Sequence, residues 1–148
     1  MRKLPESIRG FTLIELLVSI SIIAILTTLL TANFIGARQR GRDGQRKANL
    51  YSIQSALELY RTDNGSYPTP DLAASPGCGD GVGLESATAT VYMKTIPCDP
   101  QSHNKYDYTS DGVTYVMYAC LENHEDPDAL PADPNICSEG VPFMLENP

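Results

Sequence analysis

The segment that decides the fold is Phe11–Leu30, with the sequence FTLIELLVSISIIAILTTLL and a single formal charge at Glu15. A helix rises ~1.5 Å per residue, so about twenty residues are long enough to cross the ~30 Å hydrocarbon core of a bilayer. The serine and threonine hydroxyls of the segment can donate to carbonyls of the preceding helical turn, so they need no external partner. The segment therefore predicts a membrane-spanning helix.

The basic residues before this segment, Arg2, Lys3 and Arg9, are also typical of a secretory signal peptide. A signal peptide has a shorter apolar region, which ends in a cleavage site of small residues. The apolar segment here is longer, and no Ala-x-Ala-like site follows it. We therefore interpret the segment as an anchor that the mature protein retains.

The sequence from Arg9-Gly10 through Phe-Thr-Leu-Ile-Glu resembles the prepilin processing motif of type IV pilins and type II secretion pseudopilins. The resemblance implies that a prepilin peptidase cleaves between Gly10 and Phe11 and methylates the new N-terminus of Phe11. It also implies polymerisation with identical and related subunits, driven by an inner-membrane assembly platform and its ATPase.

Glu15 is an ionisable residue inside the apolar segment, where a charge costs a few kcal/mol and therefore needs a partner or a function. One interpretation is that Glu15 lies close enough to the membrane interface to remain hydrated. Cleavage would also create a cationic amine on Phe11, and the amine of an incoming subunit can neutralise a buried carboxylate. We favour this second interpretation, in which Glu15 sets the register between subunits.

Charge is distributed unevenly along the chain, whose net formal charge is −7. Eight basic and three acidic residues precede Ala48, whereas three basic and fifteen acidic residues follow Lys47. The basic collar comprises Arg38, Arg40, Arg42, Arg46 and Lys47. No aromatic residues are interleaved with it for base stacking, so we expect it to pair with acids of adjacent subunits rather than with nucleic acid.

The pattern divides the chain into a leader (1–10), a membrane and fibre-core helix (11–31), a helical stalk (32–64) and a β-rich head (65–148). Leu50, Ile53, Leu57 and Tyr60 form one apolar stripe, which we expect to pack on a small sheet. Asn64-Gly65 is a helix stop signal. The predicted fold class is α+β: a long N-terminal helix, packed in its second half on a small antiparallel sheet, with a loop-rich, disulfide-bonded C-terminal region.

Three strands are predicted in the head, at residues 91–93, 105–109 and 113–121. Asp111-Gly112 between the last two favours a hairpin, because glycine tolerates the positive φ of a tight turn. The stretch from Ile96 to Tyr108 is similar to the loop and strand of major pseudopilins, which favours a secretion-type subunit.

The four cysteines are widely spaced and form no CxxC motif. Zinc ligands normally come in closely spaced pairs, so two disulfides in an oxidising compartment fit better. Three pairings are possible, and we favour Cys78–Cys98 with Cys120–Cys137.

Major pseudopilins can hold calcium in a C-terminal loop, so the resemblance makes the acids after Cys120 candidate ligands: Glu122, Glu125, Asp126 and Asp128. Their spacing differs from the family's and prolines interrupt it, so we expect a solvated acidic loop and no cofactor. No HExxH, GxSxG, P-loop or GxGxxG motif is present, and we expect no enzyme.

The function predicted from the sequence is that of a structural subunit of a secretion pseudopilus, most similar to the major subunit. A type IV pilus subunit for adhesion, motility or DNA uptake is the alternative. A third hypothesis is a membrane-anchored extracytoplasmic binding protein or enzyme that uses the helix as a tether. In each case we expect a single-pass membrane protein with its head outside the cytoplasm, and in the first two a periplasmic or surface fibre.

Overall fold

The computed structural model describes residues 10–69, 78, 79, 81 and 83–148, without the side chains of residues 30–33. The first nine residues of the expected leader lie outside the described residues. The elements are α1 (Leu13–Asn64), β1 (Leu84–Glu85), β2 (Val91–Met93), β3 (Asp107–Ser110), β4 (Tyr115–Leu121) and β5 (Val141–Glu146). The chain divides into two compact units, Met1–Ala37 and Arg38–Pro148.

In the first unit, the large apolar side chains of Phe11–Leu29 are all at least 50% exposed. The hydroxyls of Ser19, Ser21, Thr27 and Thr28 each donate to the carbonyl oxygen four residues earlier, as the sequence predicted. By length and composition, no single helix of the described residues qualifies as a membrane span. The segments Leu13–Leu29 and Phe34–Asn64 qualify only as a pair.

In the second unit, α1 packs through the predicted apolar stripe on an antiparallel sheet. Leu50 and Leu57 are fully buried, Ile53 is 2% exposed, and Tyr60 is partly buried at the margin of the core. Helix α1 ends at Asn64, as predicted, and Gly65 follows with a φ of +78°. Its N–H donates to the Arg61 carbonyl at 2.8 Å, which satisfies a carbonyl at the helix end. The predicted α+β class is confirmed.

The principal sheet has the order β3-β4-β5, and both pairings are antiparallel. Alternate residues of β4 face α1, so Tyr115, Met117, Ala119 and Leu121 are buried. The hairpin is confirmed, but β3 and β4 begin two residues later than predicted. For β4 the reason is that the Asp111 carboxylate accepts hydrogen bonds from the N–H groups of Val113 and Thr114, which holds both residues in the turn.

The sequence analysis missed β1, which pairs with β2, and β5. β5 contains Pro142, which lacks an N–H and is therefore confined to edge strands or bulges. β5 lies at the sheet edge, so the proline is compatible with pairing to β4. Gly140 precedes β5 with a φ of +90°, and a Cβ there would lie 2.2 Å from the Leu121 carbonyl oxygen. Only glycine fits where the chain re-enters the sheet.

Candidate functional site

The N-terminal motif forms a capping box at the start of α1. The Thr12 hydroxyl accepts a hydrogen bond from the Glu15 N–H at 3.3 Å. In return, the Glu15 Oε2 accepts from the Thr12 N–H at 2.9 Å and from the Thr12 hydroxyl at 2.6 Å. This reciprocal pattern satisfies backbone donors that have no partner within the helix. Sequence reasoning missed this role, although the Thr-x-x-Glu spacing is its signal.

The basic collar is the second candidate cluster, and three of its five members bind acids of the same chain. Arg42 binds the Glu122 carboxylate, with Nε 2.6 Å from Oε1. The Lys47 ammonium lies 2.7 Å from Asp128 and also binds Asp126. The predicted pairing with adjacent subunits is therefore wrong for these residues. The reason is that the loop after β4 folds back onto α1, which the sequence does not reveal.

Arg46 is the centre of this cluster, with only 4% of its side chain exposed. Its Nε lies 2.6 Å from Asp99, and its Nη1 lies 2.8 Å from both Asp43 and Glu122. One guanidinium therefore joins α1 to the loop before β3 and to the loop after β4. A planar guanidinium suits this task because its donors form a fixed fork that matches several carboxylates.

Asp43 completes the cluster from the helix and is 2% exposed. Its carboxylate oxygens accept hydrogen bonds from the backbone N–H groups of Glu122 and Asn123, each at 2.9 Å. Its remaining partner is Arg46. A buried carboxylate is tolerated only when it is paired and hydrogen-bonded, and Asp43 meets both conditions. We call Asp43, Arg46, Asp99 and Glu122 the buried clasp.

Two carboxylates of the buried clasp, those of Asp99 and Glu122, have depressed pKa values. Hydrogen bonds from Arg42 lower the pKa of Glu122 to about 2, against a smaller opposing effect of burial. Burial raises the pKa of Asp99, but hydrogen bonds from Arg46 and from backbone N–H groups outweigh it, so its pKa is about 2. Both groups therefore stabilise the fold as anions.

Stability should consequently fall at acidic pH. A carboxyl group with a depressed folded-state pKa contributes fully above its unfolded pKa of ~4, and the contribution is lost as the pH falls towards the folded value of about 2. We expect constant urea stability from neutral pH down to about pH 5, and a decline from there towards pH 2. The Glu122→Gln variant should decline less over the same range. Identical profiles for the two proteins would contradict this assignment.

The candidate calcium ligands are arranged differently from the expected solvated loop. Glu122, Asp126 and Asp128 bind collar cations, and Glu125 is exposed. Within residues 10–69, 78, 79, 81 and 83–148, no group of three or more His, Cys, Asp or Glu side chains is arranged to hold a metal ion. Three of the four candidates thus contact a cation that the chain itself supplies.

The cysteines form two disulfides, Cys78–Cys98 and Cys120–Cys137. This is the pairing that the sequence analysis favoured among the three possibilities. The second disulfide joins the end of β4 to the loop that carries the partners of Lys47. It therefore belongs to the same structural cluster as the collar.

Two family models match adjoining parts of the chain, the N-terminal motif and the region that follows it. Residues 7–31 match the prokaryotic N-terminal methylation motif, and residues 33–126 match the family model for protein G of the type II secretion system. The type II secretion system core protein G of Vibrio cholerae serotype O1 is 30% identical over 117 residues, which cover 76% of this chain and 77% of that protein. The protein of the same name from Escherichia coli is 29% identical over 127 residues, which cover 70% of this chain and 81% of that protein.

A pilus protein is also similar to the chain. The type IV wide pilus major component PilA4 of Thermus thermophilus is 37% identical over 95 residues, which cover 64% of this chain and 69% of that protein. No solved structure matches significantly. The family model covers more than half of the chain, and the Vibrio relative covers most of it. The chain therefore belongs to the protein G family of type II secretion systems, the major pseudopilins, structural subunits anchored in the membrane by an N-terminal helix.

Proposed function

We propose that this chain is cleaved between Gly10 and Phe11, is methylated at Phe11 and polymerises as the major subunit of a secretion pseudopilus. An inner-membrane assembly platform and its ATPase would supply the subunits and the work of extension. The observation that carries the proposal is the joint match of the methylation motif and the protein G model to adjoining parts of one chain. The apolar first half of α1 would form the fibre core and the acidic head would face solvent.

The geometry of Glu15 supports a role in register. Both of its side-chain hydrogen bonds end on Oε2, and Oε1 accepts none from the described residues. The capping box therefore fixes the carboxylate while leaving one oxygen for another donor. The methylated amine of a neighbouring subunit is a cation of suitable size. In a fibre core of low dielectric, pairing the two charges offsets part of the cost of burying each.

Mass spectrometry of the mature N-terminus tests processing. We expect the mature chain to begin at a methylated Phe11, with the first ten residues removed. An intact Met1, or cleavage at another bond, would contradict the proposal. The Gly10→Val variant should accumulate uncleaved, because a β-branched residue cannot adopt the backbone conformations open to glycine.

Glu15→Ala tests register separately from processing. We expect normal cleavage but loss of about 90% or more of the sheared fibres, because the buried amine would lack its counter-charge. Glu15→Asp is the matched control, since it keeps the charge and should retain more fibres. Normal fibre yield from Glu15→Ala would refute the register role, and failed cleavage would place Glu15 in peptidase recognition instead.

A type IV pilus subunit is the second candidate, favoured by the similarity to the Thermus wide pilus component. The two functions differ in what is lost on deletion. Deletion of a secretion subunit should leave exoproteins in the periplasm, whereas deletion of a pilus subunit should abolish surface fibres and adhesion, motility or DNA uptake. Retained exoproteins with unchanged surface fibres would establish the secretion role.

A further inference from the structure

A polar groove of about 700 Å³ lies in the second unit, between the loop before β3 and the loop before β5. Four carboxylates and two cations line it: Asp99, Asp107, Glu122, Glu139, Arg46 and Lys105. Asp99 and Glu122 are already bound by Arg46 within the buried clasp. Asp107 and Glu139 are exposed, and neither forms an ion pair with a described residue. The groove therefore presents two carboxylates for an external cation.

Arg40 is a cation without an ion pair among the described residues of the same unit. It is exposed, whereas Arg42, Arg46 and Lys47 are bound to acids of their own chain. Gln39 lines the groove, but consecutive helix residues point in directions about 100° apart. Arg40 is exposed and is not among the residues that line the groove, so its side chain is open to solvent.

Polymerisation creates an electrostatic problem for this chain. Residues 38–148 contain eight basic and sixteen acidic side chains, so neighbouring heads repel one another. Close packing requires places where opposite charges meet. An exposed arginine and a separate acidic groove on one molecule are complementary surfaces of this kind.

We propose that Arg40 of one copy binds Glu139 in the groove of a second copy. This inference rests on the proposed polymerisation and identifies a contact between heads. The two surfaces lie at different places on the chain, so the contact is heterologous. Repeating a heterologous contact that does not close into a ring generates an open helical filament. The ion pair also fixes the orientation of a joining subunit, because a wrong register would bring like charges together and they would repel each other.

Charge reversal and charge exchange in the full-length chain test the contact. We expect Arg40→Glu and Glu139→Arg each to lower the yield of sheared fibres about tenfold, because each places like charges together. The combined variant should recover to within about threefold of the wild type, since the exchanged charges attract. Lys94→Glu is the matched control for Arg40→Glu. Lys94 is exposed outside the groove, and reversing its charge changes the net charge of the chain by the same amount.

Processing by mass spectrometry and the oxidised state of the cysteines would be checked in every variant. If the wild type forms fibres and Arg40→Glu forms as many, this contact is wrong while the proposed function stands. If the wild type forms none, the proposed function itself fails. A combined variant no better than the worse single variant would overturn the pairing. Normal fibres with lost secretion in Glu139→Arg would assign the groove to a different partner and also overturn it.

Discussion

Replacing Arg46 with alanine is expected to destabilise the head by about 3–5 kcal/mol, since removing one partner of a buried ion pair leaves uncompensated charges. Three carboxylates, those of Asp43, Asp99 and Glu122, bind this guanidinium. Burial by itself lowers the pKa of Arg46, but these carboxylates outweigh it and raise the pKa. The loss should therefore far exceed that of an exposed ion pair, which contributes at most about 1 kcal/mol.

Urea unfolding of the full chain in detergent, followed by tyrosine fluorescence, measures this effect. All eight tyrosines lie between residues 51 and 118, so their signal reports on the second unit. Arg40→Ala is the matched control on the same helix, and its change should remain within about 0.5 kcal/mol because the side chain is exposed. Equal changes for Arg46→Ala and Arg40→Ala would contradict the importance of the buried clasp.

Removing the Cys120–Cys137 disulfide by a double alanine substitution is the second large change. The two cysteines are 17 residues apart, and closing a loop of this size stabilises a fold by about 3 kcal/mol. The closed loop also carries Asp126 and Asp128, which bind Lys47. We expect the variant to lose this stability and to weaken the ion pairs of Lys47 with Asp126 and Asp128.

A double-mutant comparison separates these two consequences. Adding Lys47→Ala to the variant without Cys120–Cys137 should cost less than the sum of the separate losses, because the loop already holds Lys47 weakly. The control is the variant without Cys78–Cys98, whose sequence separation of 20 is similar and whose loop contains neither aspartate. There the two losses should add to within about 0.5 kcal/mol. Additivity in both backgrounds would show that the disulfide does not support the ion pairs.

The helical and hairpin elements were predictable because their signals are local. The apolar stripe of Leu50, Ile53 and Leu57 follows the helical period, and Asp111-Gly112 specifies its turn from neighbouring residues alone. β5 was not predictable in this way. Pro142 argues against a central strand, and only the position of β5 at the sheet edge makes it acceptable.

The charged residues show the same limit. Arg40, Arg42 and Arg46 look equivalent in the sequence, but Arg46 is buried, with 3% of its surface exposed, whereas Arg40 is exposed to solvent. Helical position alone does not distinguish them, since Asp99 and Glu122, which bind Arg46 and Arg42, come from residues about 50 to 80 positions later in the chain. The opposite outcomes for these arginines depend on where the later loops pack.

The sequence by itself determined the apolar helix, the processing motif around Gly10 and Phe11, and the family. Each of these rests on contiguous residues whose hydropathy or spacing is sufficient. The tertiary structure alone decided which collar cations are bound within the chain, which carboxylates form the buried clasp and which acids remain open in the groove. Those outcomes depend on contacts between distant residues, and an ion pair forms only where folding brings both charges within a few ångströms.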